Sequence, residues 1–128
     1  MPVWIPKAAI STIYAELLAE HGGLPGPAND DALEATLARP QQRLHYSNTC
    51  ASLPELAAAY GFGSAKNHCF KDGNKRVAMV AIDVFLQING HELTASEPET
   101  VVKINALAAG QIDESQLCEW IALNSQPL

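Results

Sequence analysis

Larger apolar residues recur at helical spacing near the start of the chain. Over residues 7–21 they lie three or four positions apart, which places them on one face of a helix. They are Ile10, Ile13, Tyr14, Leu17 and Leu18. Gly22 and Gly23 follow directly, and glycine after a periodic stretch is typical of a helix end. The pattern therefore predicts a first helix over residues 7–21.

Three possible capping boxes predict further helix starts. In each, a short polar residue precedes an acidic one by three positions: Asp31 with Glu34, Ser52 with Glu55, and Ser96 with Glu99. The helix that Asp31 opens is expected to end near Ala38, because Arg39 precedes a proline. Residues 40–50 are polar and irregular, which predicts a loop or a short hairpin.

The stretch from residue 77 to residue 88 has apolar residues on more than one face, which is typical of a largely buried helix. Asn89 and Gly90 provide its stop signal. A last amphipathic helix begins at Asp113. No stretch alternates convincingly between apolar and polar residues. We therefore predict an all-α helical bundle of about six helices around one central helix.

Two glycines fall inside the helix that Ser52 opens. Gly61 and Gly63 each weaken a helix by roughly 1 kcal/mol relative to alanine. We interpret them as points of close packing between helices.

Composition narrows the class of protein. The 128 residues, of which 48% are apolar and 17% charged, predict one globular domain over residues 1–128. No apolar run approaches the ~20 residues of a membrane span, and no secretory signal is visible, so we expect a cytoplasmic protein without membrane contact. Three cysteines without CxxC spacing are expected to be reduced thiols. The net charge of −6 argues against direct binding of nucleic acid.

Positive charge is concentrated in one segment. Four of the eight Lys and Arg residues lie within residues 66–76, in a chain that is acidic as a whole. A solvated basic face is the ordinary explanation of such a cluster. A local anionic ligand is the alternative, and the neighbouring residues favour it.

A turn inside this segment directly precedes the buried helix. Gly73, in the turn, allows close approach of a ligand to the first backbone N–H groups of that helix, where phosphate groups can bind. Lys75 and Arg76 in the first turn oppose the helix dipole, and a bound phosphate would compensate for that.

The same segment holds a possible base and a possible metal ligand. His68 could remove a proton from a hydroxyl group at neutral pH, and Asp72 could hold Mg²⁺ together with phosphate oxygens. Phe70 is expected to anchor the loop in the core. Each polar residue also has an ordinary structural explanation: a hydrogen-bonded histidine, an N-cap for Asp72, a turn residue for Asn74. Phosphoryl or nucleotidyl transfer would explain them together.

The segment from His68 to Arg76 resembles the signature of the Fic/Doc superfamily, His-x-Phe-x-(Asp/Glu)-(Gly/Ala)-Asn-(Gly/Lys)-Arg, at every fixed position. Lys75, in place of glycine, is similar to the Doc branch, the death-on-curing toxins of type II toxin–antitoxin modules. The resemblance implies the Fic fold, in which the motif loop leads into a central helix. It also implies a kinase that transfers the γ-phosphate of ATP to a hydroxyl of elongation factor Tu and arrests protein synthesis.

The resemblance assigns a role to each motif residue. His68 is the base, Asp72 binds Mg²⁺, and Phe70 pins the loop to the core. Phosphate contacts are assigned to the cations and small residues of the segment: Lys66, Gly73, Asn74, Lys75 and Arg76.

Two further expectations follow from the family. The segment with Arg39, Arg43 and Tyr46 resembles the flap that aligns the target protein. Doc-type toxins are restrained by an antitoxin whose disordered C-terminal segment folds as a helix in a groove on the toxin.

Two alternative functions remain open. Gly73 is similar to the Fic relatives that transfer AMP, which makes an adenylyltransferase possible. Lys66 stands where a Doc relative carries arginine, and together with Gly73 this suggests a non-catalytic module that binds its antitoxin and, through it, operator DNA.

Overall fold

Helices make up most of the protein in a computed structural model that describes residues 2–46 and 52–128. Within these ranges there are six helices and one two-stranded sheet, which confirms the all-α prediction. The helices are α1 (Lys7–His21), α2 (Asp30–Tyr46), α3 (Leu53–Lys66), α4 (Asn74–Ile88), α5 (Glu97–Ala108) and α6 (Glu114–Leu123). Strands β1 (His91–Leu93) and β2 (Ser125–Pro127) pair antiparallel.

Side-chain caps define several helix starts. The Ser52 and Ser96 hydroxyls each accept a backbone N–H three residues later, as their capping boxes predict. Asp113 caps α6 in a full capping box with Gln116. The predicted box at Asp31 is wrong, because the capping residue is Asn29, two residues earlier, whose side chain accepts the Ala32 N–H.

Helix α2 also ends later than the sequence predicts. It continues through Pro40, whose ring is buried inside the bundle, as far as Tyr46. Proline in a helix removes one backbone hydrogen bond, so contacts with other elements must hold this turn. They include the packing of α2 on α3 and the side chains of Arg39 and Arg43, which both donate to the carboxylate of Glu114 on α6. The rest of the predicted loop, residues 47–50, lies outside the described residues.

Helix α3 is the most enclosed element and packs closely against α4. Its core-facing positions carry small residues, so neighbouring helices approach its backbone closely. The larger groups filling the α3–α4 interface include Tyr60 and Phe85, whose ring centroids lie 5.0 Å apart. Burial raises the pKa of Tyr60, whose hydroxyl accepts the Ile5 N–H. The two helices thus fix the ends of the segment that joins them.

The small sheet was not predicted. Strands β1 and β2 contain three residues each, which is too short for an apolar–polar alternation to be recognised. They hold the last residues of the chain against the turn after α4, where the Leu128 N–H donates to the Gly90 carbonyl. None of the helices described is long and apolar enough to cross a membrane.

The close packing at Gly61 gives a stability prediction. A methyl group there would lie 2.6 Å from Cδ1 of Ile82 and 3.2 Å from Cδ2 of Leu117. Both neighbours are fully buried, so they have little room to move. We expect Gly61→Ala to lower the free energy of unfolding by about 1–3 kcal/mol, despite the better helix propensity of alanine.

Urea denaturation measures this change. Gly26→Ala is the matched control, because a methyl group there meets only the flexible Lys71 side chain, at 3.6 Å. The control should stay within about 0.5 kcal/mol of the unmodified protein. An equally small effect of Gly61→Ala would contradict the packing account.

Candidate active site

The loop between α3 and α4 is pinned to the core at several points. Phe70 is buried and its ring stacks on Tyr14 of α1, with centroids 4.0 Å apart and planes 6° apart. The neighbouring Cys69 is also buried, and its carbonyl accepts the Asn29 N–H at 2.7 Å. Burial raises the pKa of the Cys69 thiol. These contacts hold the loop from its inner side.

His68 directly precedes these anchors but faces solvent. Its φ of 51° makes it the one non-glycine residue with a left-handed backbone among the residues described. Such a conformation costs on the order of 1–3 kcal/mol and persists only where the surroundings impose it. The exposed imidazole lines a large cleft. The loop therefore presents the histidine outward at the expense of backbone strain.

The N-terminus of α4 opens into the same cleft. Gly73 occupies the N-cap position with a φ of 81°, and no side chain caps the helix. Among the described residues, none accepts a hydrogen bond from the backbone N–H groups of Asn74, Lys75 or Arg76. With the partial positive charge of the helix end and two exposed cations, this arrangement suits a phosphate group.

Asp72 supplies a carboxylate at the edge of this position. Its Oδ1 accepts the Gly73 N–H at 2.9 Å and its Oδ2 accepts the Leu24 N–H at 3.3 Å. Each oxygen keeps a further lone pair, and the side chain is exposed. No cluster of three His, Cys, Asp or Glu residues that could hold a metal ion lies within the described chain. One carboxylate completed by phosphate oxygens and water fits Mg²⁺.

The Asn74 side chain is engaged within the loop. Its Nδ2 donates to the Phe70 carbonyl at 2.8 Å, and its Oδ1 accepts the Phe70 N–H at 3.0 Å. The amide thereby closes the loop into a ring immediately before α4. The Asn74 side chain is therefore occupied, and only the backbone N–H of this residue is left to contact a phosphate.

Lys66, the last residue of α3, lines the cleft from the other side of the loop. It is half-buried, and its Nζ donates to the Ala108 carbonyl at the end of α5 at 3.4 Å. A cation at a helix C-terminus is favourable. The ammonium is thus held between that helix end and the cleft.

The cleft itself has a volume of about 1490 Å³. The motif loop and the first turns of α4 form its polar side, and α5 contributes Thr100, Val101 and Ile104. Small-ligand pockets typically measure about 300–1,000 Å³, so the cleft has room for a nucleotide and part of a second molecule.

The predicted docking flap is not an irregular segment where the structure describes it. Arg39 and Arg43 lie on α2 and donate to Glu114, and the Arg39 guanidinium stacks over Phe62 at 4.6 Å from the ring centroid. Neither arginine lines the cleft. The expected irregular conformation is wrong for these two residues, which tie α2 to α6, and their role in docking a target protein stays a prediction. Tyr46 ends α2, and its side chain lies outside what is described.

Sequence reasoning did not identify Thr36. This threonine is buried, and its hydroxyl contacts the residues on both sides of His68. The signal was present in the sequence: Thr36 is a polar residue on the stripe of α2 that Leu33, Leu37 and Pro40 form.

Comparison with known proteins bears on this arrangement. A family model described as "Fic/DOC family" matches residues 4–86, a range that includes the whole motif loop. The chain belongs to the Fic/DOC family. This confirms the resemblance that the segment from His68 to Arg76 indicated.

Two relatives place the chain near the Doc branch of that family. The chain is 33% identical over 104 residues to a protein named protein kinase doc from Escherichia phage P1, an alignment that covers 81% of each chain. It is 43% identical over 63 residues to a protein named toxin Doc from Mycolicibacterium smegmatis, covering 49% of this chain and 48% of that one. The expected relation to Doc proteins is confirmed.

The hydrogen-bonded ring between Asn74 and Phe70 can be tested directly. Asn74→Ala removes both hydrogen bonds to Phe70, so we expect the free energy of unfolding to fall by about 1–3 kcal/mol. Because the Phe70 N–H loses its acceptor, its hydrogen exchange should accelerate about tenfold or more. Native-state exchange followed by NMR reports both effects.

Asn105→Ala is the control for this variant, since Asn105 is exposed on α5 and its side chain makes no hydrogen bond to the described residues. Unchanged protection of the Phe70 amide in Asn74→Ala would show that the loop does not depend on this ring.

Proposed function

We propose that this protein is a Doc-type toxin that transfers the γ-phosphate of ATP to a serine or threonine hydroxyl of another protein. The observation that carries the proposal is the shared cleft, in which the exposed His68 imidazole and the open N-terminus of α4 face the same space. Phosphoryl transfer requires a base that accepts the proton of the nucleophile and a site that binds the phosphate groups.

The proposed step is an in-line displacement at the γ-phosphorus. The hydroxyl of the target forms a bond to that phosphorus while the bond to the bridging oxygen of the β-phosphate breaks, and ADP leaves. His68 accepts the hydroxyl proton. Backbone N–H groups at the start of α4, with Lys75 and Arg76, stabilise the charge on the phosphate oxygens. Lys66 adds a further cation from the opposite side of the loop.

Asp72 is the residue that would hold Mg²⁺. Its oxygens keep free lone pairs, and it stands beside the proposed phosphate position. When bound, the ion would neutralise part of the charge on the phosphates and orient them. Asp72 keeps its own orientation through the Gly73 and Leu24 N–H groups.

Three arguments favour phosphate transfer over AMP transfer. The relative from Escherichia phage P1 is named a protein kinase. In addition, Gly73 has a φ of 81°, a backbone conformation that favours glycine. The conformation therefore explains this glycine, which does not by itself indicate AMP transfer. The long Lys75 side chain would also crowd a pocket for the β- and γ-phosphates beyond the AMP group.

We infer two protein partners from the Doc relatives. The first is an antitoxin whose disordered C-terminal segment folds as a helix on the toxin. Exposed apolar residues on α5, including Val101 and Val102, suit the apolar face of such a helix. The second is the substrate, for which a translation factor such as elongation factor Tu is the proposed identity.

Labelled ATP distinguishes the candidate reactions. The protein is incubated with Mg²⁺, purified elongation factor Tu and ATP carrying radioactive phosphorus at the γ position or, in parallel, at the α position. We expect label on the factor from γ-labelled ATP alone. Transfer from α-labelled ATP would mean that AMP is transferred instead. No transfer to the factor or to a bacterial lysate, beside an active control, would favour the non-catalytic module.

Substitutions at His68 test the base and the backbone strain together. His68→Ala should remain folded and lower transfer by about 10²–10⁴-fold. His68→Gly should be equally inactive but more stable than His68→Ala by about 1 kcal/mol, because glycine adopts positive φ without the steric penalty. Transfer assays and urea denaturation measure the two effects.

His91→Ala serves as the control, since His91 lies in β1 away from the lining of the cleft. Full activity in His68→Ala would refute the role of His68 as the base. Equal stability of the alanine and glycine variants would refute the strain.

A further inference from the structure

The Thr36 hydroxyl lies at the centre of a buried hydrogen-bond cluster beneath the motif loop. Thr36 is 2% exposed. Its Oγ1 lies 2.8 Å from the Ala32 carbonyl, 2.9 Å from Nδ2 of Asn67 and 3.2 Å from Sγ of Cys69. The cluster therefore joins the middle of α2 to both chain neighbours of His68.

The hydrogen and both lone pairs of the Thr36 hydroxyl are used in this cluster. A hydroxyl has one hydrogen and two lone pairs. The hydrogen goes to the Ala32 carbonyl at 2.8 Å, which is closer than the Gly63 carbonyl at 3.4 Å, so the two lone pairs accept from Asn67 and from the Cys69 thiol. Burial raises the pKa of Cys69, which keeps the thiol protonated and able to donate. Among the side chains that the structure describes, Thr36 is the one that forms hydrogen bonds to both Asn67 and Cys69.

These contacts constrain the residue between them. Asn67 is also held by its backbone N–H, which donates to the Gly63 carbonyl at 2.9 Å, and Cys69 by its carbonyl. With the positions before and after it fixed, His68 spans the gap with a φ of 51° and its side chain outward. The strain at His68 is thus imposed by anchors on each side.

A glycine makes the approach of α2 to the loop possible. A methyl group on Gly63 would lie 3.0 Å from Cγ2 of Thr36, closer than side-chain carbons normally come. The absence of a side chain at this position lets the Thr36 hydroxyl reach the end of α3.

We propose that Thr36 is a positioning residue for the transfer reaction, which fixes the backbone of His68 through Asn67 and Cys69 and so aims the imidazole into the cleft. The inference rests on the proposed function of His68 as the base. Thr36 does not touch the cleft; it acts through its two neighbours.

The N-terminus of α4, where the phosphate is proposed to bind, is held by other contacts. The start of α4 is held by the ring between Asn74 and Phe70, to which the Thr36 cluster makes no hydrogen bond. Loss of the Thr36 hydroxyl should therefore affect the position of the base more than the binding of nucleotide. A residue that merely stabilised the fold would change neither kcat nor KM below the unfolding transition.

Three variants test the proposal. Thr36→Val removes the hydroxyl at nearly constant volume, Thr36→Ser keeps it, and Asn67→Ala removes one of its partners. Thr12→Val is the control, because Thr12 makes the same hydrogen bond to a carbonyl four residues earlier on the exposed face of α1. For each variant kcat and the KM for ATP are measured with γ-labelled ATP, and backbone amide spectra are recorded by NMR.

We expect Thr36→Val to lower kcat about ten- to hundredfold, the range that a misplaced reacting group produces, with KM for ATP within about twofold of the unmodified value. Thr36→Ser and Thr12→Val should retain near-normal kcat. Thr36→Val combined with Asn67→Ala should lose less than the product of the single effects, because both act through one contact. Unchanged kcat in Thr36→Val would overturn the proposal, and so would a rise of KM alone.

The spectra separate this proposal from the proposed function. In Thr36→Val the amide resonances of His68 and Cys69 should shift or split while those of Lys75 and Arg76 stay in place. If the unmodified protein transfers no label, the proposed function fails, and the spectra alone then decide whether Thr36 fixes His68. Unchanged His68 and Cys69 resonances would overturn the positional claim whatever the activity. Should Thr36→Val not fold, Asn67→Ala carries the same comparison.

Discussion

Contacts on the inner side of the loop between α3 and α4 determine what its outer side can do. Cys69 and Phe70 are buried, Asn67 is bound to Thr36, and Asn74 closes the loop onto Phe70. With these positions fixed, the chain between them adopts an unfavourable backbone conformation at His68 and a left-handed one at Gly73. The exposed histidine and the open helix end are therefore consequences of packing within the core.

Electrostatics complement this geometry. The chain has a net charge of −6, but its cations gather around the start of α4. Lys75 and Arg76 in the first turn oppose the helix dipole, and within the described residues neither forms an ion pair. By contrast, Arg39 and Arg43 both form ion pairs with Glu114, whose single negative charge they share. Of the five Lys and Arg residues without an ion pair within the described residues, four line the cleft, where an anionic substrate would compensate for their charge.

The sequence predicted those features that local interactions determine. Capping at Ser52 and Ser96, the helix over residues 77–88 and the motif that leads into it are encoded by residues within a few positions of one another. The path of α2 through Pro40 was missed because it is held by contacts with distant parts of the chain, such as that of Arg39 with Glu114, more than seventy positions away. Thr36 was missed for the same reason, since its partners follow about thirty positions later. The engagement of the Asn74 side chain with Phe70 is local, but a motif does not say which atoms of a residue face the ligand.

The central claim is that the first N–H groups of α4 receive phosphate oxygens, and amide NMR spectroscopy tests it most directly. The protein is titrated with Mg²⁺ and a non-hydrolysable ATP analogue. The account predicts saturable shifts at the amides of Asn74, Lys75 and Arg76, with the Phe70 amide unchanged because Asn74 already binds it. Saturable binding that leaves these three amides unmoved, or the absence of any binding, would contradict the account.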